Sequence, residues 1–277
     1  MTQITTISIL AAAAYLLAAA LVWIRLTRAP VPVQAWWNGR LTIGLLVVAG
    51  LVLHGAVLEQ TLFSPQGLNL ALTGVASLVA FVAVLMLALA SVAQPFENLG
   101  IAILPLAALA LQLAWLVPGE PVFLGPTRPA QTAHIIVSLL AYSLLFLAAL
   151  QSGLLLIQER HLRAHQPGGF IRSLPPMETM ERLMFRMIEI GFLLLTLTLI
   201  SGIFFSEALF GKPMRFSHHI VLSTAAWLVF GILLLGHWRL GWRGRIAVRW
   251  TLGGFILLVL AYFGSKFVLE FILHQPV

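Results

Sequence analysis

From Ile4 to Ile24 the chain runs without a single charged residue, and seven further apolar runs follow it. Each is long enough, at about 18 residues or more, to carry one helical crossing of a hydrocarbon core about 30 Å thick. Lipid offers the backbone no hydrogen-bond partner, so a crossing segment must close its own bonds as a helix or join a closed barrel. None of these runs alternates in the two-residue period that a barrel strand needs. The fold class is therefore all-α, a polytopic membrane helix bundle of eight spans. The spans fall at roughly 4–24, 41–58, 69–91, 99–117, 132–156, 188–207, 219–236 and 248–272. No internal repeat divides them, so residues 1–277 read as one integral-membrane bundle.

Composition supports the same class and removes several others. Only 9% of the residues are charged and 60% are hydrophobic, against roughly 25% charged in soluble domains. Cysteine is absent, which excludes disulfides, thiolate metal sites and a thioether to haem. Aspartate is absent too, so proton or metal chemistry rests on histidine and glutamate. The net charge is +7, but the cations cluster in particular loops, which speaks of membrane orientation and not of nucleic acid. No Lys or Arg precedes Arg25, so the first run lacks the basic start of a cleavable signal and reads as a retained span.

Loop charge sets the orientation. Loops one, three, five and seven hold Arg25, Arg28 and Arg40; none; Arg160, Arg163, Arg172, Arg182 and Arg186; and Arg239, Arg243, Arg245 and Arg249. Loops two, four and six hold only Arg128, Lys212 and Arg215. The positive-inside bias places both termini on the outer, periplasmic side of a bacterial inner membrane. Residues 158–189 then form a cytoplasmic loop. Within it PPMETMERLMFRMIE spaces Met177, Met180, Met184 and Met187 at helical intervals, the pattern of an amphipathic helix lying on the inner leaflet.

This topology brings histidines from three helices to one level. His54 falls near the outer end of the second span, His134 in the first turn of the fifth, and His218 and His219 at the start of the seventh. Ionisable residues at such depth are uncommon and face the bundle interior. Imidazoles approaching from separate helices fit the two faces of a haem best; a three-histidine zinc site remains geometrically open. Arg128, Lys212, Arg215 and Lys266 are the outer cations available to haem propionates. His161 and His165 are four apart among arginines on the inner side, and His237 sits beside Trp238 and Trp242 as an interface anchor.

The stretches AHIIVSLLAYSLLFLAALQSGLLLIQE, METMERLMFRMIEIGFLLLTLTLISG, SHHIVLSTAAWLVFGILLLGHWRLGWRGR and AYFGSKFVLE resemble the YpjD-type inner-membrane proteins. These belong to the cytochrome c assembly superfamily, with CcsA (ResC), CcmC and HemX. The resemblance implies haem handling at the outer leaflet. It equates His54 with a membrane-embedded ligand, His134 with an outer ligand and His218 with the histidine of an HKTVLS-like stretch. His237 is a further counterpart of an embedded ligand. The segment FFSEALFGKPMRFSHH lacks the tryptophans of the outer WGxxWxWD-like motif, which points to a haem-handling scaffold more than to a cytochrome c synthetase. The expectation is non-covalent haem b on two of His54, His134 and His218, with Arg128, Arg215 and Lys266 near the propionates, and assembly or handling in place of catalysis. Expected partners are haem, membrane lipids and a cytochrome-assembly or haem-biosynthesis protein, with no nucleic acid. Two other readings are a HemX-like regulator of haem synthesis, docking its partner through 158–189, and an accessory subunit of an ion or solute transporter.

Overall fold

The computed structural model describes residues 2–27, 39–64, 67–93, 97–118, 123–124, 129–164, 169–204 and 218–267. Eight helices among them are long and apolar enough to cross a membrane. We label them α1 (Thr2–Thr27), α2 (Arg40–Leu62), α3 (Leu72–Ala93), α4 (Glu97–Leu116), α5 (Pro129–Arg163), α6 (Met177–Phe204), α7 (His218–Leu240) and α8 (Gly244–Val259). A π-helical stretch, Leu260–Gly264, continues α8 into a last turn at Ser265–Phe267. Regular structure outside the helices is slight. Strands β1 (Phe63–Ser64) and β2 (Gly67–Asn69) pair antiparallel, with Phe63 opposite Leu68, and Phe123–Leu124 is a third short strand, β3.

The eight expected spans match these helices one for one. The chain forms two compact units, residues 1–123 with 160–175, and residues 124–159 with 176–277. Each set of helices closes its own core. In the first unit α1 packs on α2 and α4, and α3 packs on α4. Ala11, Ala14 and Ala18 let the α1 backbone come close to its neighbours. Tyr15 is fully buried and lies over Gly50, where an added Cβ would meet its ring at 2.6 Å.

In the second unit α7 packs on α8 and α6. Phe230 and Leu233 are fully buried, and Gly254 and Gly191 make room for Phe230 and Leu145. Phe146 stacks on Phe255 with centroids 5.6 Å apart, and Trp227 donates to Thr196 Oγ1 at 2.8 Å while stacking on Phe192. The outward faces are as apolar as the cores: Leu89 is 66% exposed and Leu193 60%, which suits lipid and not water.

The fifth connection differs from its expectation. Residues 158–163 are the end of α5, a helix of 35 residues and therefore about 52 Å long, well beyond the membrane core. The methionine stretch is not a separate helix on the inner leaflet. It is the first half of the 28-residue α6, and Met180 and Met184 are fully buried. They face α5, where Gln151 Nε2 donates to the Met180 carbonyl at 3.1 Å and Ser152 Oγ to Met184 Sδ at 3.1 Å. A stripe that packs on another helix has the same period as one that rests on lipid.

Candidate functional site

His54 sits within the first unit, fully buried. Its Nδ1 meets the Tyr15 hydroxyl at 3.3 Å and its Nε2 meets Ser77 Oγ at 2.8 Å. Phe81 and Tyr15 close on the ring edge-on at 5.3 and 5.9 Å. A neutral imidazole has one donor and one acceptor nitrogen, and both are spent here. In this arrangement His54 clasps α1, α2 and α3 together; to take a metal it must first release one of those partners.

The second unit holds His134, His219 and His237. His134, half-buried in the second turn of α5, meets Ser201 Oγ through Nδ1 at 2.7 Å. Ser201 Oγ also lies 3.0 Å from the Thr198 carbonyl. When the hydroxyl gives its proton to that carbonyl it accepts from His134 Nδ1, and Nε2 then keeps a lone pair with which the ring can ligate a metal. Gly202 lies against the same ring, its Cβ position 3.6 Å from Cε1.

His219 is exposed at the start of α7. Its ring meets Tyr262 edge-on at 6.2 Å and 73°. Tyr262 belongs to the π-helical stretch, a device common at functional sites. It carries Lys266 Nζ over its ring at 5.5 Å, and Lys266 is only 9% exposed. Tyr142 packs on Tyr262 and donates to the Leu258 carbonyl at 3.1 Å. Helices α5 and α7 and the π-helical stretch thus bring one imidazole, a buried lysine and aromatic faces together.

Of the residues expected from the sequence, Lys266 is in this cluster, His134 pairs with Ser201 in the same unit, and His54 belongs to the first unit. Arg128, Lys212 and Arg215 lie outside the described residues, as does the His218 side chain. Ser201, His219 and Tyr262 are additions. His219 was visible as half of a histidine pair, whereas Ser201 is one of many span hydroxyls and gave no signal. Among the described residues no group of three or more His or Glu is placed to hold a metal ion.

His237 is held differently, at the other end of α7. Its Nδ1 donates to the Trp242 carbonyl at 2.9 Å, and its ring stacks on Phe185 at 3.5 Å. Gly241, at φ 67°, lets the chain turn so that Trp242 N–H reaches the Gly236 carbonyl at 3.1 Å. An added Cβ at Gly236 would run into the Trp242 ring. Glu181 of α6 caps α8 by accepting from Gly244 N–H at 2.7 Å.

Eight apolar helices long enough to cross a bilayer define a polytopic membrane protein. The family model for the cytochrome C assembly protein matches residues 42–273, and the chain belongs to that family. It is 36% identical over 231 residues to the inner membrane protein YpjD of Escherichia coli K12, covering 81% of this chain and 85% of that one. It is 22% identical over 131 residues to protein HemX of Brevibacillus brevis, covering 47% and 48%. With the cytochrome c biogenesis protein CcsA of Prochlorococcus marinus it shares 30% over 116 residues, 41% of this chain and 36% of that one. The chain is a multi-pass inner-membrane protein.

Proposed function

We propose that this protein handles non-covalent haem b at the outer leaflet, with His134 and a histidine of the His218–His219 pair as the iron ligands. The observation that carries the reading is the His134–Ser201 contact, which engages Nδ1 and leaves Nε2 without a partner among the described residues. His219 and Lys266 meet at Tyr262 in the same unit, one to offer a second imidazole and the other a cation for a propionate. Membership of the cytochrome c assembly family and the partial similarity to CcsA and HemX support haem as the cargo. The loop-charge count supports the outer placement of this end and of both termini.

Haem, when bound, would supply an iron open to nitrogen ligands, which His134 and His219 would hold. The chain's part is to hold the proton of His134 on Nδ1, to keep His219 against Tyr262, and to present aromatic surface to a flat, apolar ring. The donor set fits: two neutral nitrogens and a buried cation match an iron porphyrin and its carboxylates. No cysteine is available to form a covalent link, so cargo held here can be released. The reading is tested by titrating haem into the purified full-length protein in nanodiscs. A saturable Soret band at one haem per chain is expected; a spectrum identical to haem in empty nanodiscs rejects the proposal.

A further inference from the structure

Where α6 begins and α7 turns into α8, a cleft of about 420 Å³ opens that the histidine pair does not use. Its charged lining is balanced: Arg182, Arg186 and Arg243 against Glu178, Glu181 and Glu189. That is unexpected in a chain with 16 basic and 9 acidic residues, because a third of all its acids collect at one cleft beside the arginine-rich loop.

The charges are not spent on one another. Arg182 pairs with Glu178 at 3.6 Å. Glu181 and Glu189 each give one oxygen to a neutral donor, Gly244 N–H at 2.7 Å and Trp238 Nε1 at 3.2 Å, which leaves the negative charge and the second oxygen of each. Among the described residues Arg186 and Arg243 have no ion-pair partner. His237, fixed through Nδ1, keeps a lone pair on Nε2. One cleft therefore offers two guanidinium groups to an anion and two carboxylates with an imidazole nitrogen to a cation.

Its surroundings are lipid-facing. From the cleft onward α6 is uncharged from Ile190 to Phe204, and α7 is uncharged through the run that ends at Gly236. Ile190, Leu193 and Leu197 on α6 and Leu235 and Trp238 on α7 are exposed. Tryptophan at such a boundary sits at head-group level. A ligand carrying both charges at its head and apolar chains behind it matches this sequence of surfaces.

We propose that the cleft binds the head group of a zwitterionic phospholipid, its phosphodiester on Arg186 and Arg243 and its primary ammonium on Glu181 and Glu189. The same head chemistry exists free in water as glycerophosphoethanolamine, and the apolar flanks favour the membrane source. Delipidated full-length protein in detergent is offered dioleoyl phosphatidylethanolamine, dioleoyl phosphatidylglycerol or glycerophosphoethanolamine, and adducts are counted by native mass spectrometry. The ethanolamine lipid is retained about fivefold more than the glycerol lipid, the scale of charge-assisted hydrogen bonds at an exposed site. Arg186→Ala with Arg243→Ala removes the phosphodiester site common to both lipids and lowers the retention of both, whereas Glu189→Gln lowers the preference while leaving the glycerol lipid unchanged. Equal retention of the two lipids by the wild type overturns the proposal, as does retention of the ethanolamine lipid that survives the double substitution. Displacement of the lipid by equimolar glycerophosphoethanolamine assigns the cleft to a soluble ligand and overturns the membrane source.

Discussion

Replacing Ser201 by alanine removes the hydroxyl that engages His134 Nδ1. The bond is short, 2.7 Å, and with the hydroxyl proton on the Thr198 carbonyl, 3.0 Å away, Ser201 accepts the Nδ1 proton. Without it the ring proton redistributes onto Nε2, the nitrogen that must face iron. Loss of a second-shell partner costs about 10- to 100-fold in metal affinity, and His134 is only half-buried, which places the expected effect at the lower end. A tenfold weakening corresponds to about 1.4 kcal/mol, close to the net worth of one intramolecular hydrogen bond. The assay is a haem titration followed at the Soret band, with Ser201→Thr as the variant that keeps the hydroxyl and should keep wild-type affinity. If Ser201→Ala binds haem within about twofold of wild type, while His134→Ala does not bind it, the tautomer reasoning is wrong.

Three further outcomes follow from the same structure. Neutral imidazole ligates iron and imidazolium does not, so haem occupancy should be full above the ordinary histidine value of about 6.5 and fall as pH drops through it; a pH titration of the Soret band reads this directly. Gly191→Ala places a Cβ 2.7 Å from Leu145 Cδ2, and overpacking of that kind should cost about 1–3 kcal/mol of stability, read by thermal unfolding in detergent. Ser77→Ala strands a ring nitrogen of fully buried His54 and should cost about 1–3 kcal/mol while leaving the haem spectrum unchanged.

The spans were legible because a charge-free run of about 20 residues has few ways to exist in lipid. The boundaries were less so. Met177 to Glu189 carries charge and reads as a surface helix, yet it is continuous with the span that follows, because Met180 and Met184 are buried against Gln151 and Ser152 of α5. Helical spacing reports that a stripe faces something without saying whether it is lipid or protein. The histidines were found by their rarity inside apolar runs, whereas their partners were not. Tyr15 and Ser77 lie 39 and 23 residues from His54, and Ser201 lies 67 from His134. Nothing in a single sequence links hydroxyls so distant to a particular ring. The same limit applied to His219, which gains its place from Tyr262, a residue on the π-helical stretch that no periodicity announces.

The most direct test of the account is the absorption spectrum of haem-loaded protein in four forms: wild type, His134→Ala, His219→Ala and His54→Ala. The predicted result is a six-coordinate, low-spin spectrum in the wild type that survives His54→Ala, with its cost confined to stability, and that is lost in His134→Ala. Loss in His219→Ala as well would identify the second ligand as His219, and retention there would assign it to His218. A spectrum untouched by His134→Ala and abolished by His54→Ala would contradict the account, since the iron would then be held in the unit where both imidazole nitrogens are already engaged.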